Sequence, residues 1–316
     1  MSNFTWAYDA PAGVYKSHEM SAALRKAAIA ETKNMQFVKP EPGYGKKSGD
    51  TITISRISNL AVPTSGQLTE SVKIPEDQLT ITTIAITVAE WGRAVPYTGL
   101  AEDLSMFDIE NVVQRALKDQ MKLIMDNAVA VAMKAGRIKA TPTGVAAIQF
   151  ATNGVAPAQA LANINTYHIE QIRDYMYSTL LIPPFESDDY VCLVSTKGKR
   201  GIVNDPNWET WHKYTDPESK YNGEIGRYEN IRFVEVNNAS ALSGSLGSGG
   251  VLGEAVFLGA DSVSMAVALD PELRAAIPGD FGRQRAVAWY GILNFGQVWG
   301  DSANPGEARV VHVTST

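Results

Sequence analysis

The chain has 316 residues, of which 45% are hydrophobic and 20% are charged. This composition is that of an ordinary globular protein with a sizeable core, and it excludes a disordered chain. The formal net charge of −6 argues against strong nucleic-acid binding by the whole surface. The single cysteine, Cys192, lies in an apolar run, so we expect a buried strand residue rather than a nucleophile.

The N-terminal part of the chain is predicted to be a basic arm. Residues 1–15 show no periodic pattern, residues 17–32 predict a helix, and prolines and glycines at 40–45 interrupt regular structure. Residues 1–49 contain seven Lys and Arg residues against four acidic ones. The pattern is typical of a solvated arm, in which Arg25-Lys26 and Lys46-Lys47 are the residues able to touch nucleic acid.

Residues 50–90 predict a long β-hairpin. Apolar and polar side chains alternate over residues 50–62 and 78–90, on either side of a tip at 63–77. The alternation slips by one position at Ile57 and near Thr82-Thr83, which predicts a bulge or sharp twist. A ribbon of roughly 40 Å is marginally stable alone. Because residues 45–90 contain no aromatic anchor, we favour a neighbouring copy over the hairpin's own domain as its partner.

A long helix is predicted from Asp108, an N-terminal cap, to Lys134, which lies in the last turn before Gly136. A second helix is predicted over 166–180 and a short one over 197–203. Residues 137–165, apart from a strand at 145–150, and 205–230 are interpreted as loops. Together with the remaining strands, these elements predict an α+β protein; the strands are at 191–195, 231–236, 252–258, 263–267, 286–298 and 310–313.

No catalytic or metal-binding pattern is found in the sequence. The four histidines have no zinc spacing, and no phosphate loop or nucleophile motif is present. Asp188-Asp189 is interpreted as an exposed turn. The apolar run Ala128–Met133 is too short to span a bilayer, and no signal peptide is recognised, so we expect cytoplasmic synthesis. No cofactor is expected. An α+β enzyme with an unrecognised site and a β-rich attachment module remain alternatives.

The order of these parts resembles the major capsid proteins of tailed bacteriophages, which have the HK97-type fold. The runs from Lys199 to Pro206 and from Asn222 to Glu235, and the closing Trp289-Tyr290-Gly291, are similar to one capsid subfamily. The resemblance implies five segments: an N-terminal arm (1–49), an extended β-hairpin loop (50–90), a peripheral domain with a spine helix (91–186), an axial domain (187–259), and return strands of the peripheral domain (260–316).

The resemblance implies a non-enzymatic shell subunit of the virion, assembled in the host cytoplasm as hexamers and pentamers around double-stranded DNA. It also implies a portal protein and a separate scaffolding protein, because little sequence precedes the first helix. Covalent cross-linking is not expected. An encapsulin-like compartment is the alternative with the same fold. The implied contact residues are Arg56, Leu68, Glu70, Lys73, Ile74 and Glu76 for the hairpin, Trp208, Trp211 and Tyr221 for the axial ring, and Arg25, Lys26, Lys46 and Lys47 for DNA.

Overall fold

The computed structural model describes residues 27–41, 45, 49–70, 72–105, 108–214, 221–247 and 249–316, and for 211–214 it describes the backbone alone. The predicted arm over 1–15 and most of the predicted helix over 17–32 lie outside these residues. Residues 27–32 of the predicted helix are described, and there the prediction is wrong, because residues 27–33 have no regular structure. The Glu31 backbone N–H donates instead to Asn237 Oδ1 at 2.9 Å, a tertiary contact that replaces a helical hydrogen bond.

Five α-helices lie in the described residues, and the longest is the one that the sequence predicts most strongly. Asp108 caps it by accepting a hydrogen bond from the Asn111 backbone N–H at 3.1 Å. Asn165 caps α3, which continues as a π-helical turn to Thr179. Both cap positions confirm the prediction. The helices are α1 (Gly99–Leu104), α2 (Ile109–Lys134), α3 (Thr166–Asp174), α4 (Gly198–Val203) and α5 (Pro206–Tyr214).

The strands of the described residues form three sheets, in the orders β1-β11-β12-β4, β6-β5-β13-β10-β7-β9-β8 and β2-β3. Their bounds are β1 (Lys39–Pro40), β2 (Thr51–Ile57), β3 (Ile81–Thr87), β4 (Ala89–Thr98), β5 (Ile138–Gly144), β6 (Ala147–Ala151), β7 (Tyr190–Ser195), β8 (Glu224–Tyr228), β9 (Ile231–Val236), β10 (Ala255–Leu258), β11 (Ser264–Ala275), β12 (Gln284–Gly296) and β13 (Val310–Val313).

The four-stranded sheet carries α2 on one face. Strand β12 alternates between buried and half-buried residues along its length, and its buried side chains, Trp289 and Leu293 among them, join one core with Leu117, Val129 and Met133 of α2. The helix therefore buries its apolar stripe against one side of the sheet and leaves its opposite side to solvent. Helix α2 and the four-stranded sheet therefore form two packed layers.

The seven-stranded sheet has a core on each face. Tyr190, Cys192 and Val194 of β7 belong to the core that also contains α3, while Val191 and Leu193 belong to the core shared with α2. Burial raises the pKa of the Cys192 thiol well above its usual value, which fits the inert strand residue that the sequence predicts. This one sheet takes strands from three of the segments proposed above, 91–186, 187–259 and 260–316.

Three loop interpretations are wrong. Residues 138–144 form the buried strand β5, and within 205–230 the chain forms helix α5 and strand β8. The Asp188-Asp189 turn is not exposed at Asp189, because that carboxylate accepts hydrogen bonds from Arg227 at 2.9 Å and Arg232 at 2.8 Å. Strand β4 was also missed. In β5 and at Asp189 the side chains have partners distant in the sequence, as in the hydrogen bond from Thr141 Oγ1 to the Thr314 carbonyl at 2.7 Å.

The hairpin is shorter and more regular than predicted. Its paired strands β2 and β3 have seven residues each, about 23 Å at 3.3 Å per residue rather than 40 Å. The pairing runs from Thr51↔Thr87 to Ile57↔Ile81 without a register shift, so the predicted bulge is wrong. The apolar side chains change parity because Ile57 and Ile81 do not face inward. They lie opposite each other on the exposed face of the ribbon.

Candidate assembly interface

The loop between β2 and β3 exposes a large apolar surface. Residues 58–80 contain neither helix nor strand where the structure describes them, and loops of this length in compact domains are usually functional. Val62 is 94% exposed and Ile74 is 64% exposed, and the other large apolar side chains of the loop and of the adjoining strand ends are also exposed. The exposed apolar residues of this segment, called the apolar arm below, are Ile57, Leu60, Val62, Leu68, Val72, Ile74, Leu79 and Ile81.

The predicted contact residues at the hairpin tip lie on this exposed segment. Leu68 and Ile74 belong to the apolar arm, and Glu70 is exposed beside them. Lys73 and Glu76 form an ion pair at 2.5 Å in which both side chains are largely exposed, so it adds little to stability. Their contact with a neighbouring copy stays a prediction.

The other face of the hairpin packs on the subunit itself. Its inward face carries Ile52, Ile54, Ile84 and Ile86, and Ile86 is buried. A Cβ atom at Gly296 of β12 would lie 3.0 Å from Cγ1 of Ile86, so glycine lets the two strands approach closely. The hairpin base thus packs on its own domain, the alternative partner given above, while none of the described residues of the chain covers the apolar arm.

Arg56 anchors the hairpin base. Its Nη1 and Nη2 donate to Asp301 Oδ1 and Oδ2 at 2.5 and 2.6 Å, and Nη1 also donates to the Val298 carbonyl at 2.6 Å. The Nε atom donates to Thr82 Oγ1 at 2.9 Å, and the guanidinium lies 5.2 Å from the centre of the Trp299 ring. The hydrogen bond from Arg56 lowers the pKa of Asp301. Arg56, predicted to contact a neighbouring copy, therefore binds within its own chain.

The three residues predicted at the axial ring lie in different environments. The Trp208 indole is only 6% exposed and packs against Tyr228 and Phe233, so it does not present the surface that a ring contact needs. Tyr221 is half-buried, and its ring lies 5.1 Å from that of Phe37. Burial raises its pKa well above the usual value. The Trp211 side chain lies outside the described residues, as do Arg25, Lys26, Lys46 and Lys47.

A buried carboxyl holds the described N-terminal segment on the long helix. Asp126 of α2 is fully buried, and its Oδ1 accepts from the Asn34 backbone N–H at 2.8 Å while Oδ2 accepts from Asn34 Nδ2 at 2.9 Å. Asn238 donates to Oδ2 at 3.3 Å. Because burial penalises the charged form, the pKa of Asp126 is raised. The cluster joins residues 34–37, α2 and the turn after β9 at one point.

An enzyme would need a cleft whose lining carries reactive side chains. A cleft of about 590 Å³ is lined by Asn163, Arg200 and Asp205 among other residues. The Asp205 carboxylate accepts from Thr166 Oγ1 at 2.7 Å and from the Asn207 backbone N–H at 3.0 Å, so it caps α5 and binds the first residue of α3. Arg200 is the only other ionisable side chain of this lining. The arrangement offers no pair of a nucleophile and a base.

Among the described residues, no group of three or more His, Cys, Asp or Glu side chains is arranged to hold a metal ion. None of the helices in the described ranges combines the length and hydropathy needed to cross a bilayer. The surface feature that needs an explanation is therefore the apolar arm.

Comparison with known proteins identifies the fold. No family model matches the chain, and no curated protein matches it. Solved structures do match over its whole length. The capsid of Ralstonia phage GP4 is 16% identical, with 100% of this chain and 98% of that chain covered and a TM-score of 0.67.

Two further structures agree with the first. The cyanophage Pam1 capsid is also 16% identical, covers 99% and 98% of the two chains, and has a TM-score of 0.70. The acid-stable capsid of Helicobacter pylori bacteriophage KHP30 is 12% identical, covers 100% of both chains, and has a TM-score of 0.71. The prediction of an α+β chain with the HK97-type fold is confirmed by this shared architecture.

Proposed function

We propose that this chain is a major capsid protein, whose copies assemble into a closed icosahedral shell around double-stranded DNA. The observation that carries the proposal is the apolar arm: eight large apolar side chains stand exposed on a hairpin whose base is fixed to its own domain. The shared fold supports the proposal, because the matched solved structures are phage capsids.

The apolar arm is proposed to lie on a neighbouring copy. Burying one Val, Leu or Ile side chain contributes about 1.5–3 kcal/mol, so covering several of them offsets the loss of freedom on association. Each subunit of a closed shell makes many such contacts, and contacts that are weak singly combine through high effective concentration. Glu70, Lys73 and Glu76 supply exposed charges around the apolar side chains, where they select the partner more than they strengthen binding.

The subunit is proposed to be non-enzymatic and to form hexamers and pentamers. The segments 1–49, 50–90, 91–186, 187–259 and 260–316 are proposed as its arm, extended loop, peripheral domain, axial domain and return strands, with β5, β6 and β13 contributing to the axial sheet. A separate scaffolding protein and a portal protein are proposed partners. The location proposed is the virion, after assembly in the host cytoplasm.

The proposal is tested on particles isolated from the cells that produce the protein. Cryo-electron microscopy is expected to show closed shells of this chain, and their nucleic acid is expected to resist nuclease until the shells are opened. Shells that hold a protein cargo instead of DNA would support an encapsulin-like compartment. A protein that stays monomeric at every concentration and salt condition would overturn the proposal that its copies form a shell.

A further inference from the structure

The solvent side of helix α2 carries a stripe of basic residues. From Ile109 to Lys134, every exposed charged side chain is basic: Arg115, Lys118 and Lys122. The acidic residues of the same helix are half-buried or buried. In the described part of the chain, no carboxylate forms an ion pair with Lys118 or Lys122. Like charges four residues apart destabilise a helix slightly, so this pair is unfavourable for folding alone.

The two sides of the four-stranded sheet differ in charge. Arg93 pairs with Trp289, whose side chain packs in the α2 core, so Arg93 lies on the helix side and adds to the basic stripe. On the other side, Glu90 pairs with Ile292 and Glu272 pairs with Tyr290. Arg274 and Lys39 are basic residues on this side, and both form ion pairs, with Glu272 at 2.7 Å and with Asp261 at 2.6 Å. In a chain of net charge −6, the α2 side thus presents four exposed basic side chains, Arg93, Arg115, Lys118 and Lys122.

We propose that the α2 side of this sheet faces the packaged duplex, and that Lys118 and Lys122 contact its phosphate backbone. The inference rests on the proposed function, and it adds a DNA-facing surface to the basic N-terminal arm that the sequence suggested. Arg115 to Lys122 spans about 10 Å of helix, along which a duplex presents about six phosphate charges. Ammonium groups bind phosphates as point charges, so no sequence or register is required.

The composition of the stripe favours DNA over a protein partner. Interfaces between proteins are enriched in aromatic residues and depleted in lysine, whereas α2 contains no aromatic residue and its exposed charges are basic. Contact with about two phosphates per subunit is weak, which suits a duplex that must move during packaging. Repetition over all subunits makes the summed attraction large.

The test measures binding of the full-length protein to a fluorescein-labelled duplex of about 30 base pairs across about 20 to 150 mM NaCl. The variant Lys118→Gln/Lys122→Gln is expected to bind at least about tenfold more weakly at the lowest salt and to lower the slope of log K against log[salt] by about 1.8. Lys118→Arg/Lys122→Arg is expected to bind as the wild type does. Thermal unfolding of each variant checks that the change lies in binding, since both lysines are exposed.

The matched control is Lys197→Gln/Arg200→Gln, which removes two exposed positive charges from around α4. This control is expected to keep the wild-type slope, and an equal loss in both variants would overturn the inference by showing a net-charge effect. An unchanged slope in the α2 variant would also overturn it. An α2 variant that binds DNA as the wild type does, but no longer binds an acidic protein partner, would overturn it too. Electron microscopy of the same variants separates the two proposals, because shells that form normally leave the proposed function intact whatever the duplex result.

Discussion

Arg56 and Asp301 lie 245 residues apart and meet in a two-point ion pair, with Nη1–Oδ1 and Nη2–Oδ2 distances of 2.5 and 2.6 Å. Paired hydrogen bonds of this kind fix both distance and orientation. Strand β2 is thereby joined to the loop that follows β12 at the base of the hairpin. Because the base is already fixed within the single subunit, the docking proposed for the apolar arm would cost less conformational freedom.

Replacing Arg56 with alanine is expected to lower the free energy of unfolding by about 1–2 kcal/mol. The Arg56 side chain is 10% exposed, but Asp301 is 58% exposed, so solvent screens part of the attraction. Urea unfolding measures the change. The control Arg274→Ala breaks the half-exposed Arg274–Glu272 pair and is expected to lose at most about 0.5 kcal/mol. Equal losses in the two variants would contradict the anchoring role of Arg56.

Asp126 is expected to make stability depend on pH. Burial raises its pKa in the folded chain above the unfolded value of about 3.9. The stability it contributes is therefore fully present below about pH 4 and is lost as pH rises through the folded pKa. Relative to Asp126→Asn, which cannot ionise, the wild type is expected to lose unfolding free energy over that rise. Parallel curves from urea unfolding at successive pH values would contradict this.

Two substitutions at Asp126 are expected to differ in severity. Asp126→Ala removes the carboxylate that accepts from the Asn34 backbone N–H and from Asn34 Nδ2, and it is expected to lower the free energy of unfolding by about 2–3 kcal/mol. Asp126→Asn keeps one acceptor, the amide oxygen of the new asparagine. The buried Asn34 Oδ1, which has no hydrogen-bond partner, is able to accept from the new NH2 group after the Asn34 amide flips. The asparagine variant is therefore expected to be the milder one at pH 7. Urea unfolding of both variants at that pH ranks them, and equal losses would contradict the hydrogen-bonding role.

Val62→Ser/Ile74→Ser is expected to prevent assembly without weakening the subunit. Both side chains are already exposed, so the free energy of unfolding is expected to change by less than about 0.5 kcal/mol per site. Shell formation is followed by light scattering and electron microscopy. The control Val131→Ser/Val145→Ser alters two equally exposed valines outside the hairpin and is expected to assemble. Normal shells from the hairpin variant would contradict the role of the apolar arm.

Trp208→Ala is expected to act on the subunit core rather than on a ring contact. Removing a buried tryptophan that packs on Tyr228 and Phe233 lowers the free energy of unfolding by about 3–5 kcal/mol. The control Tyr177→Ala removes an exposed aromatic ring and is expected to lose about 1 kcal/mol or less. Chemical denaturation of the unassembled protein compares them. A Trp208 variant as stable as the wild type would contradict the core position.

The elements that sequence reasoning predicted well carry their own local signals. Helix α2 has a cap at Asp108, a periodic apolar stripe and Gly136 after its end, and β9 is a short apolar run after the Glu229-Asn230 turn. These signals depend on neighbours within a few residues. The order of such elements was enough to identify the fold.

The failures depend on contacts that are distant in sequence. Strand β5 contains Pro142 and Gly144, which suggested a loop, yet it pairs with the distant strand β13, and Thr141 Oγ1 donates to the Thr314 carbonyl at 2.7 Å. Helix α5 is fixed through Trp208. At the candidate interface, the exposed tip was predictable from composition, but nothing near Arg56 in the sequence indicates Asp301. The change of parity at Ile57 led to the wrong prediction of a bulge, because this apolar side chain was assumed to face inward, whereas it is exposed.

The central claim is that the apolar arm needs a second copy of this chain to cover it. Cryo-electron microscopy of assembled particles, at a resolution that traces residues 58–80, tests this directly. The account predicts that Val62, Leu68 and Ile74 of each subunit are buried against an adjacent copy, while Arg56 keeps its own Asp301. Particles in which these side chains remain in solvent, or fold back onto their own subunit, would contradict it.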